Sequence, residues 1–434
     1  MKKLGMWAVV AHLNTKVFVE ICLGIVMNLQ VISNLLIVRI YNVFKLSKSW
    51  PQVGSYANNF GIMKKLESFI VIICSLLLLN LCSCTQQKTV FKETFGYDTL
   101  VIPIDFPYLS FYHNAALYED GNSLYWGGYN HLMHSVDIFN LTERRVVESI
   151  ELAPEGPNAI LKNQVNSFLF NDSLLFFRGY EGEIKIMNRK DRNICGKVVP
   201  FTPEENYRLT YRGVLPGQFR SGSDMRLCGN MIVTNVYPKV EPTMEDVLAT
   251  SIHFSTGNVE HLAISYPEEM EGDLFKYGSM TYPYLTMASD RVVYNFPYSS
   301  RVYVYNTDSG LTETLYLDSS RTGNQSEQKP EISVRNVEGN FEYESMSLRF
   351  CETYYDEKTD AYVRVHYKEK DGILDKDVSY LMVYKGDAEE TFEYPVPSAF
   401  STRYYVHEGH VYFLMNNSND YELYFAVIDI DSLY

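Results

Sequence analysis

The chain has 434 residues, a formal net charge of −15 at pH 7 and 14% aromatic residues, among them 35 tyrosines. The negative charge argues against nucleic acid as a partner, because phosphate backbones are held by basic surfaces. The aromatic content argues against a disordered chain and favours β-structure, in which aromatic side chains pack well.

Residues 1–62 are apolar and basic, with six Lys or Arg residues against one acid, Glu20. Residues 17–38 have the length of a membrane helix, although Glu20, Asn28 and Asn34 interrupt them. Two interpretations stay open: residues 1–62 are a membrane leader, or they are a non-native extension of a chain whose translation begins at Met63. We favour the second, because an export signal has to be N-terminal in order to be used.

Residues 63–83 have the layout of an export signal. Lys64 and Lys65 precede an apolar run at 69–81 that is too short to cross a bilayer comfortably. The sequence LCSC at 81–84 resembles the bacterial lipobox, in which a signal peptidase cuts before the cysteine that receives the lipid. The resemblance implies lipidation of Cys84 and a lipid link to the membrane; the alternatives are an ordinary cleaved signal peptide and a short membrane helix with incidental cysteines.

Residues 84–97 are polar and lack an apolar period, which predicts a tether to a folded body at 98–434. From Cys84 onward the chain carries a charge of −21 over about 350 residues. This length exceeds a usual single core unless the fold is a barrel or a repeat array. Cys195, Cys228 and Cys351 form no disulfide framework, so three buried thiols, or one bridge and one free thiol, remain open.

One unit recurs along the body. It consists of a strand pair, a loop, a third strand with alternating aromatic or β-branched residues, a polar turn and an outer strand. The third strand with its turn is found at 135–142, 183–190, 251–257, 301–310, 380–387 and 423–431. Six such units predict an all-β fold, a six-bladed β-propeller with four-stranded blades; a β-sandwich is the alternative. Insertions are expected near 237–248 and 368–377.

The last unit ends at Tyr434, directly after its third strand, and therefore lacks an outer strand. Residues 99–104 form a strand that has no partner of its own. We predict that this N-terminal strand completes the last blade and closes the ring, which would cover two exposed sheet edges.

Two loops support a resemblance to a known group. EGPN at 155–158 and GVLPGQF at 213–219 resemble the Gly-Pro loops between the blades of lipid-anchored six-bladed propellers from Bacteroidota, some of them in the TolB-like propeller group. These proteins have no known function. The resemblance implies a propeller over nearly all of 84–434, and it implies no catalytic residues, because the group carries no agreed ones.

Ligands of propellers bind where the central channel opens, at loops that join strands two and three and at loops between blades. These loops correspond here to 126–134, 153–159, 178–183 and 297–301. The side chains that would form a mixed aromatic and cationic rim are Trp126, Tyr129, His131, Arg178 and Tyr298. Aromatic faces suit sugars and apolar groups, and a guanidinium suits carboxylates.

Metal and cofactor sites are not predicted. His131 and His134, and also His407 and His410, have a HisxxHis spacing, but on a strand two such rings are expected to point to opposite faces. Acidic residues at 371–377 miss the spacing of a calcium loop.

The sequence shows no nucleophile elbow, no HExxH motif and no phosphate loop. We therefore favour a non-enzymatic envelope lipoprotein whose propeller binds a peptide, a glycan or a protein partner. The alternative is a propeller enzyme acting on glycans or lactones, a hydrolase or a lyase. Residues 85–88 lack the acidic residues that accompany surface export, which favours an anchor on the periplasm-facing side of the outer membrane.

Overall fold

A computed structural model describes residues 88–434, except 106, 113, 163–164, 166, 180–182, 202–206, 209–224, 239–241, 273, 275, 329–342, 344–346, 368–378, 387–389 and 417–418. The predicted leader 1–62, signal 63–83 and Cys84 lie outside the described residues, as do the loop at 213–219 and the insertion at 368–377. Gln86–Tyr434 forms one compact unit. Within the described part of the chain, no helix combines the length and hydropathy needed to span a membrane.

Strands dominate this unit and group into six sheets, or blades, that follow the chain in order. Two strands come first: β1 (Lys88–Phe91) and β2 (Asp98–Pro103). Blade 1 contains β3 (Ala115–Asp120), β4 (Ser123–Asn130), β5 (Ser135–Asn140) and β6 (Arg145–Glu151). Blade 2 contains β7 (Ser167–Phe170), β8 (Leu174–Arg178), β9 (Ile184–Asn188) and β10 (Ile194–Val198). Blade 3 contains β12 (Met225–Cys228), β13 (Met231–Asn235), β15 (Ala249–His253) and β16 (Asn258–His261), while β11 (Tyr207–Arg208) pairs separately with β14 (Tyr237–Pro238).

The remaining blades follow the same plan. Blade 4 contains β17 (Tyr284–Ala288), β18 (Arg291–Asn295), β19 (Arg301–Asn306) and β20 (Thr312–Tyr316). Blade 5 begins with two short strands, β21 (Arg349–Phe350) and β22 (Tyr354–Asp356), and continues with β23 (Ala361–Tyr367), β24 (Ser379–Lys385) and β25 (Glu390–Pro395). Blade 6 contains β26 (Phe400–His407), β27 (His410–Met415) and β28 (Glu422–Asp429). Short 3₁₀ helices lie at Glu268–Met270, Gly278–Thr281 and Ile430–Leu433.

The blades form a ring. First strands of successive blades contact one another, from β3 to β7, β12, β17, β22 and β26. Blade 6 returns to blade 1 through contacts of β2 with β6, and Arg403 Nη1 donates to the carbonyl of Tyr112 at 2.6 Å. The predicted six-bladed propeller is confirmed, and each of the six predicted alternating segments is the third strand of a blade.

The N-terminal strand closes this ring, as predicted. β2 pairs antiparallel with β28 in blade 6, with register from Asp98↔Val427 to Pro103↔Glu422. It buries Leu100 and Ile102 in a cluster that blades 6 and 1 share. The first strand of the ring is therefore the outermost strand of its last blade, and no exposed edge remains on β28.

Strand β1 was not expected, because residues 84–97 read as a polar tether. It pairs in parallel with β25, from Lys88↔Glu390 to Phe91↔Glu393, and adds a sixth strand to the outside of blade 5. Val90 and Phe95 pack partly against the core of blades 5 and 6. Within the described residues, the segment from Lys88 onward is thus part of the folded body, since it satisfies the edge of β25 and buries apolar surface.

The apolar cores lie between neighbouring blades rather than within them. One cluster joins blades 1 to 3, and others join blades 3 and 4, 4 and 5, 5 and 6, and 6 and 1. A middle strand therefore buries both faces, as residues 302–305 of β19 do, while the outer strand β20 is mostly exposed. This explains why the aromatic and β-branched residues concentrate in the second and third strands of each unit.

Asparagines hold consecutive parts of the ring together. Asn130, Asn235 and Asn295 each end the second strand of a blade and are fully or almost fully buried. Each side-chain amide donates to a backbone carbonyl in a segment that leads into the first strand of a blade. The acceptors are the carbonyls of Pro107, Pro283 and Cys351, respectively. The repeated position fixes the path of the chain from blade to blade, and it was not predicted from the sequence.

Replacing Asn295 with alanine is expected to lower the free energy of unfolding by about 2–3 kcal/mol, because buried partners would lose their hydrogen bonds. Asn295 Oδ1 accepts from both the amide and the hydroxyl of Thr353 at 3.1 Å. Urea denaturation measures the change, with the exposed Asn258→Ala as the control, for which less than about 0.5 kcal/mol is expected. Equal effects of the two substitutions would contradict this role.

The three cysteines of the body are free. Cys351 is buried, which raises the pKa of its thiol to about 12, and Cys228 is half-buried. Cys195 is exposed on β10, so the expectation of three buried thiols is wrong for that residue. No bridge forms among these three residues.

Candidate functional site

A cavity of about 350 Å³ opens on blade 4. Three segments form its wall: the loop between β18 and β19, the two 3₁₀ helices that precede β17, and the residues that follow β20. The lining side chains are mostly polar or aromatic: Glu269, Met270, Tyr277, Tyr298, Ser299, Ser300, Arg301, Tyr316, Asp318, Asn324 and Gln325. The volume is that of a site for a small molecule or a few residues of a larger ligand.

Backbone hydrogen bonds hold the three segments in place. Ser300 N donates to the carbonyl of Asn324 at 2.8 Å, and Ser326 N donates to the carbonyl of Tyr298 at 2.8 Å. Between these bonds, Ser299 and Gln325 form an isolated antiparallel bridge. The wall is therefore tied together before any ligand binds.

Two tyrosines form the floor of the cavity. The rings of Tyr277 and Tyr298 stack with their centroids 4.0 Å apart and an interplanar angle of 14°. Gln325 Nε2 donates to the hydroxyl of Tyr277 at 2.5 Å. Tyr316 at the edge is 55% exposed, and the guanidinium of Arg301 lies 5.5 Å from its ring centroid. A ligand would thus meet aromatic surface beside a cation.

Fixed charges line the same cavity. Arg301 Nη1 donates to Glu269, and the hydroxyl of Tyr303 donates to the same carboxylate oxygen at 2.5 Å. Burial would raise the pKa of Glu269, but the hydrogen bonds from Tyr303 and Arg301 outweigh it and lower that pKa. Both charges are therefore present at neutral pH. Ser300 Oγ donates to Asp318 Oδ1 at 2.9 Å, which orients a second carboxylate.

A buried histidine contacts the loop that carries Asp318 and Asn324. His366 on β23 places Nδ1 2.9 Å from Thr322 Oγ1 and Nε2 3.1 Å from Glu393 Oε1. His366 and Glu393 are both fully buried. Burial lowers the pKa of His366, so the neutral ring accepts from Thr322 and carries its proton on the side of Glu393.

Glu393, which lies on β25, holds the loop that carries Asp318 and Asn324. Its Oε2 accepts from the amide of Ser320 at 2.9 Å and from the hydroxyl of Ser320 at 2.6 Å. Burial alone would raise the pKa of Glu393, but hydrogen bonds from His366, Ser319 and Ser320 bring it down to about 2. The ionised carboxylate of Glu393 therefore connects the cavity wall to blade 5.

Comparison with known proteins identifies the family. A family model described as "Domain of unknown function (DUF4221)" matches residues 88–389. The chain belongs to the DUF4221 family. No curated protein matches it.

A solved structure of the family has the same fold. A DUF4221 member from Bacteroides vulgatus is 17% identical, with a TM-score of 0.62, and the alignment covers 79% of this chain and 98% of that chain. The relative thus consists almost entirely of the propeller. A Bacteroides fragilis protein, described as a presumed exported protein, is 12% identical with a TM-score of 0.49, over 78% of this chain and 99% of that chain. At this identity, the first of these similarities establishes the fold alone.

Of the five predicted rim residues, the DUF4221 propeller places only Tyr298 at the cavity. Trp126 and Arg178 are completely buried, and Tyr129 is 7% exposed. His131 is exposed in the turn between β4 and β5 of blade 1. The five residues do not form one rim, and ligand binding by any of them stays a prediction.

The burial of Trp126 has a local cause in the glycines that follow it. A Cβ at Gly127 would lie 2.6 Å from the ring of Phe170, and one at Gly128 would lie 2.4 Å from the ring of Tyr112. Both rings therefore pack directly on β4, and Tyr112 in turn meets the indole edge to face at 5.3 Å. The two glycines of the sequence WGGY therefore indicate close packing of aromatic rings on β4, rather than exposure of Trp126.

Histidine 134 is excluded as a metal ligand. Its Nδ1 lies 2.8 Å from the hydroxyl of Tyr129, and its Nε2 lies 2.6 Å from the carbonyl of Ile160. Both ring nitrogens are thus engaged within the protein, and the HisxxHis spacing at 131–134 does not mark a metal site.

The axis of the DUF4221 ring holds an ion pair. Arg226 Nη2 on β12 of blade 3 lies 3.8 Å from Glu352 Oε1, next to β22 of blade 5. The guanidinium also lies 5.9 Å from the ring of Tyr354. Blades 3 and 5 are not neighbours, so this contact crosses the channel. It is a basic-acidic pair, not the carboxylate pair that glycoside hydrolysis uses.

Proposed function

We propose that this DUF4221 protein is an exported, lipid-anchored binding protein whose propeller holds a polar ligand, a glycan or a peptide, in the blade 4 cavity. The observation that carries the proposal is the Arg301–Glu269 pair beside the exposed ring of Tyr316. Hydroxyl and amide groups of sugars and peptides match such oriented charges, and an aromatic face covers their apolar side. The wall is already ordered, so binding would cost little conformational entropy.

Glycan and peptide panels, followed by titration calorimetry on the best ligand, test this function. Arg301→Ala and Glu269→Gln are expected to weaken binding at least tenfold. Arg145→Ala is the matched control, because Arg145 forms an exposed pair with Glu143 in blade 1, far along the chain from the cavity. Binding that survives Arg301→Ala, or that Arg145→Ala weakens equally, would contradict the proposal.

The anchor is proposed on the lipobox alone. Metabolic labelling with a fatty acid should mark the full chain and should fail for Cys84→Ser, while Cys82→Ser should still be labelled. Protease treatment of whole cells should leave the body intact if it faces the periplasm. Labelling of the Cys84→Ser protein would reject lipidation at Cys84.

One observation favours the enzyme alternative, in which the protein acts on glycans or lactones. Thr322, His366 and Glu393 are connected as a hydroxyl, a base and an orienting carboxylate, the order in which activated nucleophiles are built. Thr322 is half-buried, so its hydroxyl is the group that a substrate would meet. Hydrolysis of lactone or ester substrates that disappears in Thr322→Val and persists in Arg301→Ala would support this alternative over simple binding.

A further inference from the structure

A hairpin at the junction of blades 6 and 1 brings two histidines together. β26 ends at His407 and β27 begins at His410, and these residues are directly paired across the turn Glu408–Gly409. Both turn residues have positive φ, +45° and +80°, as a tight two-residue hairpin requires. Residues paired in this way project to the same side of a sheet, so the expectation of opposite faces is wrong for this pair.

Blade 1 adds an acid to this hairpin. Glu119 near the end of β3 places Oε1 3.8 Å from His407 Nε2. One ligand atom each from Glu119, His407 and Glu408 lie within 4.8 Å of one another. Glu119 and Glu408 are exposed and His407 is half-buried, so the group is open to solvent on one side.

The three side chains have few competing partners. Among the described residues, Glu119 and the His407 ring contact each other and no other side chain at ion-pair or hydrogen-bond distance. Lys358 brings a positive charge, but its Nζ donates to the backbone carbonyl of Glu408 at 3.1 Å, not to the carboxylate. His410 Nδ1 lies 3.0 Å from that same carbonyl, so His410 is bound to its own turn.

We propose that Glu119, His407 and Glu408 bind a divalent transition-metal ion of the Zn²⁺ class. One imidazole and two carboxylates are a donor set that such ions accept, with bonds of about 2.0–2.2 Å. Small side-chain rotations bring the three atoms to these distances, and water takes the fourth position. Because the ligands come from two blades, the ion joins blade 6 to blade 1 at the closure of the ring.

Zinc alone is the probe, added to the tag-free body Gln86–Tyr434. This segment forms one compact unit with all six blades, and a solved DUF4221 relative consists of little else. All proteins carry Cys195→Ser, because an exposed thiol would itself bind zinc. Competition with a chromophoric chelator should show one equivalent bound in the micromolar range or tighter, together with a rise in Tm.

His407→Ala and Glu119→Gln are expected to weaken zinc binding at least tenfold and to remove the rise in Tm. The control is His253→Ala, since His253 is an exposed histidine at the end of β15 in blade 3. Circular dichroism shows that each variant is folded, and Co²⁺ absorption reports the coordination geometry. Binding only at millimolar zinc, or binding that His407→Ala leaves intact, would overturn the proposal.

Discussion

Replacing Ile102 with aspartate is expected to unfold the propeller. Ile102 is fully buried, one residue before the end of β2, in the cluster that blades 6 and 1 share. The substitution loses about 1.5–3 kcal/mol of apolar burial and places an unpaired carboxylate in the core, at a further cost of several kcal/mol. The sum approaches the whole stability of a typical domain, about 5–15 kcal/mol.

Near-UV circular dichroism and urea denaturation of the body measure this effect. Thr99→Asp provides the control on the same strand, because Thr99 is exposed and its side chain leaves the core unchanged. The control should unfold cooperatively within about 0.5 kcal/mol of the parent. If the Ile102→Asp protein unfolds at nearly the parental urea concentration, blade 6 does not depend on β2.

Replacing Glu393 with alanine is expected to lower the free energy of unfolding by about 3–5 kcal/mol, since one partner of a buried, hydrogen-bonded pair disappears. His366 and Ser320 would then lack their acceptor. We also expect weaker ligand binding at the blade 4 cavity, because the loop from Ser320 to Asn324 loses its anchor in blade 5.

The same carboxylate predicts a dependence on pH. Its pKa falls from a reference value of 4.5 to about 2 in the folded protein, so its contribution is complete above pH 4.5 and is lost as the pH falls towards 2. The difference in stability between the parent and Glu393→Gln should therefore shrink between pH 6 and pH 2.5. Glu313→Gln, at an exposed position on β20, is the control, and a constant difference across this range would count against the shift.

The fold could be predicted because its signals are local. Each third strand carries its own alternation and a polar turn, as residues 301–310 do, and β2 was found because the last unit lacked a strand. β1 was not predicted, because it has only four residues and pairs in parallel with β25, which is far away in the sequence. A short edge strand has no periodicity long enough to distinguish it from a tether.

Most of the candidate site could not be predicted from local sequence patterns. Tyr298 lies in a loop that lines the blade 4 cavity, but Glu269 and Asp318 come from connections whose paths no local pattern fixes. Trp126 and Arg178 were assigned to the rim although packing against neighbouring blades covers them. Alternation along β23 places Arg364 and His366 on one face, yet it does not show that a loop folds over them.

The pairing of β1 and β2 has a consequence for the order of folding. Blades 1 to 4 can form one after another as the ribosome releases them, because their strands are adjacent in sequence. Lys88 and Asp98, in contrast, have to await Glu390 and Val427. The first two strands of the folded body are therefore the last to find their partners, and a product that ends before β25 leaves both of them unpaired.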